Sequence, residues 1–485
     1  MNLISVLHKT IKKCPNKTAL IQDDTKISYE EFWDKVERIG NALQSRFQKG
    51  DKIAIMLPNC KEFIYCSFAI IKSNLVFIPL KKELSHHELK YMIENSKPDA
   101  IITNSEIYWK FKELLMLITN IIVDGFTEID NEYNDCITME ELYQIGNNSM
   151  PTKNYLSSSL LASINYTYIG KGIPIGAMLT HRNYIYAASA VIKLHKIDPT
   201  IKLLLVLPMY HIFGLTVGVI VPLLVGGTVI IENSLKPTKI FKDIEAYNIN
   251  ALLGMPSIYA LLVDYYNKKK YDLDSLTLCI SGGSYMTSEL YENIKKVMGI
   301  DILQGYGLTE CFPIICNNYQ HNIPGTLGIP AHRVKVKLHN KDNNQVGELL
   351  VNSPTTMLGY YNQKEITKDV LKNGWFYTGD YAEIDSATGH ILFRGIKKSI
   401  VKVNGYTVDL VEVRNVLLSH PSIIDAKYCG NDNALTESPL IFEITINSDC
   451  VTERDIKDFC GKRLAKYKIP KIIRIKDVVY TNAAI

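Results

Sequence analysis

Short apolar segments alternate with amphipathic ones along the first hundred residues, and this alternation constrains the fold more than any other feature. Lys52–Met56, Leu75–Leu80 and Ala100–Thr103 have the length and apolar character of buried strands. Helices are predicted between them, one beginning near Leu57–Asn59 and one at Ser85. Because parallel strands need crossover connections, the alternation predicts parallel β-structure in a layered α/β domain.

The first fifty residues are predicted to be largely helical. Ser28 is the expected N-cap of the main helix, because Glu31 follows three residues later and completes a capping box. The apolar residues that fall on one face of this helix are Phe32, Val36, Ile39 and Leu43. Residues 105–155 carry no pattern from which we predict a function.

Composition excludes several classes of function. The 485 residues suffice for more than one domain, and a net charge of +4 without a basic stripe or acidic tail gives no reason to expect nucleic acid. The ten cysteines are scattered, and the closest pairs, Cys311 with Cys316 and Cys60 with Cys66, lack zinc-site spacing. Reduced thiols of a cytoplasmic protein are therefore expected, and the N-terminus has no apolar core of signal-peptide length.

The segment Leu203–Ile231 is long and apolar, and its composition is compatible with a membrane span. Prolines and glycines divide it into lengths typical of strand, turn, helix and strand, at Pro208, Gly214, Gly218, Pro222, Gly226 and Gly227. We therefore predict a buried helix between two strands of an α/β domain, and no membrane span.

A glycine-rich stretch follows another short apolar run, Leu160–Ile164. Gly170, Gly172 and Gly176 occur within seven residues, and a helix is predicted from Asn183. A strand, a glycine-rich turn and a helix form the usual layout of a phosphate-binding loop, in which exposed backbone amides bind the anion. From the glycines alone, an ordinary turn remains an alternative.

The residues from Tyr166 to His181 resemble the nucleotide loop of the adenylate-forming superfamily, which includes acyl-CoA synthetases, aryl-CoA ligases and carrier-protein-loading domains. That loop usually reads Y-T-S-G-T-T-G-x-P-K-G-x-x-L-T-H. The positions that match are Tyr166, Thr167, Gly172, Pro174, Gly176, Leu179, Thr180 and His181. The positions that depart are Tyr168 and Ile169 for serine and glycine, Gly170 and Lys171 for two threonines, and Ile175 for the lysine.

Further motifs extend the resemblance over nearly the whole chain. Gln304–Glu310 matches the family motif Gly-Tyr-Gly-x-Thr-Glu, and Gly374–Asp380 matches W-x-x-T-G-D. Leu207–Leu215 resembles the motif whose histidine borders the carboxylate pocket, although His211 could equally be a hydrogen-bonded core histidine. Ser281–Met286 ends a predicted strand, where the family holds adenine against a Gly-Gly step.

The hinge region and the end of the chain depart from the family pattern. In the best register Ile396 stands at the usual ribose-contacting arginine, with Arg394 two residues early, and Lys398 stands at the hinge. Lys402 and Gly405, which line the thioester-forming face in CoA ligases, are kept. Ala484 and Ile485 occupy the places of the terminal Gly-Lys, so the resemblance implies weak adenylation and a better preserved transfer to a thiol.

The resemblance implies roles for individual residues. Thr309 would contact the α-phosphate, Glu310 would bind Mg²⁺, Tyr306 would stack on adenine and Asp380 would accept the ribose hydroxyls. Lys171 is expected to substitute in part for the missing loop lysine. The predicted catalytic residues are Thr309, Glu310, His211 and Lys402, and the predicted nucleotide-binding residues are Thr167, Gly170, Lys171, Gly172, Gly283, Ser284, Gly305, Tyr306, Gly307, Thr309 and Asp380.

Two functions remain open from the sequence. The first is an AMP-forming ligase that activates a fatty or aryl carboxylic acid with ATP and Mg²⁺ and passes it to CoA or to the phosphopantetheine of a carrier protein. The second is a catalytically weakened homologue that binds a nucleotide or acyl group as a sensor. Either would have a large N-terminal domain of layered α/β subdomains, residues 1–394, and a small α+β lid, residues 395–485, that moves as a hinged unit.

Overall fold

The computed structural model describes residues 2–125, 136–149, 157–343, 345–396, 399–403, 405–430, 439–446 and 451–478. The predictions made for Lys398 and for the terminal Ala484 and Ile485 lie outside these residues. The described part of the chain is a mixed α/β protein, as the alternating pattern predicted.

Strands and helices alternate along most of the described chain. The strands are β1 (Thr18–Gln22), β2 (Thr25–Ser28), β3 (Lys52–Met56), β4 (Val76–Pro79), β5 (Ala100–Asn104), β6 (Asn120–Asp124), β7 (Cys136–Thr138), β8 (Leu161–Tyr168), β9 (Pro174–Thr180), β10 (Lys202–Leu205), β11 (Thr228–Ile231), β12 (Ala251–Gly254), β13 (Leu278–Ser281), β14 (Ile302–Leu308), β15 (Cys311–Cys316), β16 (Ile329–Pro330), β17 (Lys335–His339), β18 (Gly347–Asn352), β19 (Leu371–Lys372), β20 (Trp375–Ile384), β21 (Ile391–Ile396), β22 (Ile400–Val403), β23 (Tyr406–Asp409), β24 (Ile423–Tyr428), β25 (Ile441–Ile446) and β26 (Ile472–Val478). The helices are α1 (Leu3–Lys13), α2 (Tyr29–Arg46), α3 (Lys61–Lys72), α4 (His86–Ser96), α5 (Ser105–Leu115), α6 (Met139–Asn148), α7 (His181–His195), α8 (Val221–Val225), α9 (Pro237–Tyr247), α10 (Pro256–Lys268), α11 (Ser288–Met298), α12 (Lys364–Val370), α13 (Leu410–Leu418) and α14 (Glu453–Gly461), with a π-helix at Gly214–Ile220 and a 3₁₀ turn at Lys466–Lys468.

Two large sheets form the body of the protein. Within the described residues, one sheet has nine strands in the order β16-β15-β14-β13-β12-β10-β11-β1-β2, and the other has seven in the order β7-β6-β5-β3-β4-β8-β9. Most neighbours in both are parallel, with β2, β9, β15 and β16 as antiparallel additions. Alternate residues of β3 enter different hydrophobic clusters, Ile53 and Ile55 on one face and Ala54 and Met56 on the other, so this sheet is covered on both sides.

The remaining strands form smaller sheets. In the described chain, β17, β18, β20, β19 and β21 make a sheet of their own that follows the nine-stranded one in sequence. After Ile396 come the hairpin β22–β23 and the sheet β24-β25-β26 with α13 and α14. This C-terminal part has a separate hydrophobic cluster built around Val413, Phe442 and Ile456, and we call residues 399–478 the lid. The predicted domain boundary at 394/395 falls inside β21 and stays a prediction.

Several local predictions are confirmed. Ser28 caps α2 and forms the capping box with Glu31, and the four predicted apolar residues are buried. The segment Leu203–Ile231 is divided into β10, the π-helix, α8 and β11, as its prolines and glycines indicated. In the described part of the chain no helix is both long and apolar enough to cross a membrane.

One local prediction is incomplete and another is wrong. The N-terminal fifty residues are largely helical, as predicted, but they also contain the hairpin β1–β2, whose β1 pairs with β11 of the large sheet. The glycine-rich stretch is not a strand–turn–helix unit. Its second half, Pro174–Thr180, is β9, which pairs antiparallel with β8 over its whole length. The helix predicted from Asn183 is present as α7, which begins at His181 after this strand. The glycine-rich turn is therefore the tip of a β-hairpin, and the anion-binding layout expected at a helix N-terminus is absent from these residues.

Candidate functional site

The candidate site lies where parallel strands of the nine-stranded sheet end. The carboxyl ends of β12, β13 and β14 meet at one edge, because the three strands are parallel and adjacent. A cavity opens at this edge, with about 920 Å³ of empty space that includes its mouth to solvent, and β8, β20, β21 and the lid hairpin β22–β23 complete its walls. It is lined by Thr167, Tyr168, His211, Gly283, Ser284, Tyr285, Gln304, Gly305, Tyr306, Gly307, Leu308, Thr309, Glu310, Leu327, Asp380, Phe393, Ile396, Ile400, Lys402 and Thr407.

Most of the predicted site residues border this one cavity. All the predicted catalytic residues do so, together with Thr167, Gly283, Ser284, Gly305, Tyr306, Gly307 and Asp380. Gly170, Lys171 and Gly172 are not among the lining residues, since they form the tip of the β8–β9 hairpin. Lys171 is exposed there, and its suggested replacement of the loop lysine stays a prediction.

Tyr306 and Asp380 form a pair at the back of the cavity. The Tyr306 hydroxyl donates to Asp380 Oδ2 at 2.5 Å, and Asp380 is only 6% exposed. Burial, followed by the charge of Asp380, raises the pKa of Tyr306 well above its usual value, so the phenol stays protonated as a donor. The backbone amide of Asp380 is held by Thr378 Oγ1 at 3.0 Å, which fixes the carboxylate at the start of the β20–β21 pair.

Glu310 occupies the turn between β14 and β15 and is fixed from behind. Its side chain is 2% exposed, and the Tyr360 hydroxyl donates to its Oε1 at 2.6 Å. The amide of Met357 donates to the Glu310 backbone carbonyl at 2.8 Å. The adjacent Thr309 is half-buried and lines the same cavity. A hydroxyl and a carboxylate thus lie side by side at the cavity wall.

Gly283 and Ser284, which were predicted to bind adenine, lie in a loop whose backbone is hydrogen-bonded to the side chain of Gln304. Gln304 Oε1 accepts the amide of Met286 at 3.0 Å, and its Nε2 donates to the Ser284 carbonyl at 3.1 Å. Gly283 has a φ of +83°, a conformation that L side chains rarely adopt. A Cβ at Gly307 would lie 2.6 Å from Phe312 Cδ2, so only glycine fits there. Glycine at residue 307 thus lets β14 pack closely against Phe312, and glycine at residue 283 permits the left-handed turn after β13.

His211 lies at the junction between this cavity and an apolar one lined by Phe213, Ile280 and Phe312. The Phe213 amide donates to His211 Nδ1 at 3.3 Å, which assigns the proton of the neutral ring to Nε2. His211 is exposed to the cavity, yet enclosure by protein, with a smaller effect of Lys402, lowers its pKa to about 4. It is a neutral donor at physiological pH, so the core-histidine alternative is wrong for its position.

The lid hairpin brings Lys402 into the cavity. Lys402 pairs with Thr407 across β22 and β23, and its Nζ donates to Thr407 Oγ1 at 2.7 Å. Gly405 at the hairpin tip has a φ of +78°, and a Cβ there would lie 1.8 Å from Met255 Sδ. The hairpin can therefore reach this depth only with glycine at its tip.

The departures at the hinge and in the loop have different structural settings. Ile396 is the cross-strand partner of Asp380 and lines the cavity, whereas Arg394 is engaged outside it by Glu383 Oε2 at 2.7 Å. Ile175 is 1% exposed and belongs to the main hydrophobic cluster. The amide of Gly172 donates to Asp409 Oδ2 of the lid at 2.8 Å, so a carboxylate of the protein itself binds the glycine-rich turn.

The sequence did not reveal several contacts of the site. Tyr168, noted only as a departure, donates through its hydroxyl to Glu88 Oε1 at 2.6 Å. The same carboxylate binds Lys468 of the lid, and Tyr360 binds Glu310. The sequence did offer a signal for the contact between Tyr168 and Glu88, because a bulky tyrosine stands where the family loop usually has serine. The partners of Glu88 and Glu310 lie far away in sequence and left no local signal.

Comparison with known proteins gives a consistent family assignment. The family described as AMP-binding enzyme matches residues 7–361. A long-chain-fatty-acid–CoA ligase of Haemophilus influenzae is 26% identical over 98% of this chain and 91% of its own length. The ligase of the same name from Bacillus subtilis is 26% identical over 97% and 90%.

Solved structures share the fold at lower identity. A double mutant of the o-succinylbenzoate CoA synthetase of Bacillus subtilis, bound with a product analogue, superposes with a TM-score of 0.82 at 23% identity, covering 99% of this chain and 96% of that one. An amide bond synthetase from Marinactinospora thermotolerans gives 0.86 at 19% identity, with 98% and 96% covered. Both likenesses extend over the body and the lid.

Proposed function

The chain belongs to the AMP-binding enzyme family, and from this premise we propose that its cleft activates a small-molecule carboxylate with ATP and transfers the acyl group to a thiol. The protein is an ATP-dependent, AMP-forming acyl ligase. In the first half-reaction a carboxylate oxygen bonds to the α-phosphorus and pyrophosphate leaves. In the second, the thiol sulfur bonds to the acyl carbon, AMP leaves, and the thiol proton is released.

One observation carries the proposal. Thr309, Glu310, the Tyr306–Asp380 pair and Lys402 come from three separate parts of the chain and border the same cavity. A carboxylate suits the ribose diol at Asp380, because its two oxygens can accept hydrogen bonds from two hydroxyl groups. The hydroxyl of Thr309 suits an α-phosphate oxygen, and His211 supplies a neutral N–H near the junction with the apolar cavity, where the acid would lie.

The magnesium ion of this reaction would be held by Glu310 together with the nucleotide. No group of three or more His, Cys, Asp or Glu side chains in the described residues could hold a metal by itself. A single carboxylate that shares the ion with phosphate oxygens is the usual arrangement for Mg²⁺. Tyr360 orients Glu310 for this role through its hydroxyl.

The proposed function has two further parts, the thiol that accepts the acyl group and the class of carboxylic acid that is activated. The fatty-acid ligases are relatives in sequence, and their acceptor is CoA. The apolar cavity lined by Phe213, Ile280 and Phe312 supports an acid with an apolar body, of the fatty or aryl class. A carrier-protein thiol remains the second acceptor that we propose to test.

A second candidate is a weakened homologue that binds nucleotide as a sensor. The observations that favour it are the buried Ile175 in place of the loop lysine and the binding of the Gly172 amide by Asp409. Both reduce what the glycine-rich turn can offer to the β- and γ-phosphates. This candidate predicts nucleotide binding without turnover.

The experiment is an ATP–pyrophosphate exchange assay over a panel of fatty and aryl acids, followed by thioester detection with CoA and with carrier proteins. Acid-dependent exchange is expected in wild type, with loss of exchange in Thr309→Val and a higher ATP requirement for exchange in Asp380→Asn. Thr388→Val is the matched control, because Thr388 lies in an exposed turn outside the cavity. Nucleotide binding without exchange for any acid would overturn the ligase and leave the sensor.

A further inference from the structure

A buried cluster of charged groups joins the lid to the body. Lys468 of the lid is 0% exposed, and its Nζ lies 2.5 Å from Glu88 Oε1 and 2.5 Å from Glu412 Oε2. Glu88 belongs to α4 of the body, whereas Glu412 belongs to α13 of the lid. Tyr168 donates to the same oxygen of Glu88 and places its ring 3.8 Å from Lys468 Nζ. We call these four residues the clamp cluster.

The charges of the clamp cluster fit together only when the lid is in this orientation. Burial alone would raise the pKa of Glu88, but the ammonium groups of Lys468 and Lys81 lower it well below its usual value. Burial raises the pKa of Glu412. Removing one partner of a buried ion pair is strongly destabilising, because the remaining charge is left without compensation. Rotating the whole lid away would not leave a buried charge without compensation, because the carboxylate of Glu88 would then be exposed to water.

A second contact joins the lid to the same loop. Asp409 Oδ2 accepts the Gly172 amide at 2.8 Å, while its Oδ1 accepts the amide of Val411 at 2.9 Å and caps α13. A Cβ at Gly172 would lie 3.2 Å from Val411 Cγ1, so α13 packs closely on the glycine-rich turn. Tyr168 and Gly172 lie on either side of Ile169–Lys171. Tyr168 contacts Lys468 of the lid, and the amide of Gly172 donates to Asp409 of the lid.

These contacts set the position of the lid hairpin. Tyr406 of β23 stacks on Tyr467, at 4.4 Å between ring centroids, and Tyr467 is the neighbour of Lys468. The hydroxyl of Tyr467 also binds Lys81 of the body. The same segment thus carries the clamp cluster on one side and supports the hairpin of Lys402 and Gly405 on the other.

We propose that the clamp cluster and Asp409 hold the lid in the orientation that presents Lys402 to the cavity, with Lys468 as the positioning residue. The inference rests on the proposed function, which makes this cavity the place where the acyl group passes to a thiol. Lys468 does not line the cavity itself, and it acts on the hairpin of Lys402 through Tyr467 and Tyr406.

The first experiment measures the docking of the lid without turnover. Hydrogen–deuterium exchange of residues 166–180 and of α13 is compared for the wild-type protein and for variants of the clamp contacts, in the absence of nucleotide. Exchange in both segments is expected to rise when a contact of the clamp cluster or of Asp409 is removed. Exchange that stays at the wild-type level would overturn the clamp, whatever the activity of the protein.

The second experiment uses variants of the cluster. Lys468→Met is expected to raise exchange in the same segments at least fivefold and to lower the kcat for thioester formation from supplied acyl-adenylate at least tenfold, with ATP–pyrophosphate exchange unchanged or increased. Lys466→Met is the matched control, since Lys466 lies in the same 3₁₀ turn and is exposed. Tyr168→Phe and Asp409→Asn keep the packing and the helix cap, and smaller changes in the same direction are expected.

The outcomes separate this inference from the proposed function. If wild type shows no turnover, the ligase fails, yet the hydrogen–deuterium exchange of the variants still decides the clamp. If Lys468→Met does not fold, Tyr168→Phe and Asp409→Asn decide it. An equal loss in both half-reactions, or exchange in Lys468→Met that equals that of Lys466→Met, would overturn the clamp.

Discussion

Ile396 lies directly opposite Asp380 in the antiparallel pair of β20 and β21, and both residues line the cavity. The family pattern has an arginine at this position, which would stand within reach of the ribose that we assign to Asp380. The nearest arginine in sequence, Arg394, is held outside the cavity by Glu383. Among the described residues, the candidate nucleotide site therefore has an apolar side chain at the position where the family pattern has a cation.

Ile396→Arg should tighten AMP binding. A hydrogen bond to a charged group contributes about 1.5–3 kcal/mol, which corresponds to roughly 10-fold to 100-fold in Kd. Isothermal titration calorimetry measures the change, and Ile396→Met is the control for side-chain length without charge. If the arginine and the methionine variants bind AMP with the same affinity, no nucleotide oxygen lies near residue 396.

Asp380→Asn should weaken ATP and AMP binding by roughly 10-fold, because the amide offers one acceptor where the carboxylate offers two charged oxygens. The Tyr306 hydroxyl keeps an acceptor in this variant, so the fold around it should persist. Glu383→Gln, on the same strand but paired with Arg394, is the matched control. Unchanged affinity in Asp380→Asn would remove the ribose from this position.

Tyr360→Phe should raise the magnesium concentration needed for half-maximal ATP–pyrophosphate exchange by roughly 10-fold to 100-fold, as expected when a hydrogen bond behind a metal ligand is lost. The variant leaves Glu310 in place and removes the donor at its Oε1. Tyr361→Phe, one residue further along, is the control. A magnesium dependence identical to wild type would show that Glu310 does not bind the ion.

His181 should make stability depend on pH. Burial lowers its pKa to about 4, and in the described part of the chain its Nδ1 has no partner. Since the unfolded histidine titrates near 6.5, the stabilisation is complete above that pH and is lost as the pH falls from 6.5 towards 4. Urea unfolding at pH 7.5 and 5.5 should show a loss about 1 kcal/mol larger in wild type than in His181→Gln. An equal loss in both proteins would contradict the assignment.

The parts of the fold that depend on local sequence could be predicted. The strand Lys52–Met56 and the cap at Ser28 follow from bounded apolar runs and from side chains three residues apart. The resemblance of residues 304–310 and 374–380 to two family motifs predicted a common site for Thr309, Glu310 and Asp380, and all three line the cavity. For the strand and the cap, the information lies within the element itself.

The parts that depend on distant pairing could not be predicted. Gly176 made Pro174–Thr180 resemble a loop, although cross-strand pairing with β8 makes it a strand. Glu88 and Lys468 are 380 residues apart, and nothing in either local sequence indicates the contact. Tyr360 likewise reaches Glu310 across 50 residues. Long-range contacts such as these determine what each predicted site residue binds.

The burial of Ile175 sets it apart from Ile396 in how easily the family residue can be restored by protein engineering. An arginine restored at residue 396 would enter the cavity beside a carboxylate, whereas a lysine restored at residue 175 would carry its charge into the main hydrophobic cluster. A single substitution can therefore undo the first departure but not the second. Restoring the lysine at residue 175 also requires changes in the core that surrounds it.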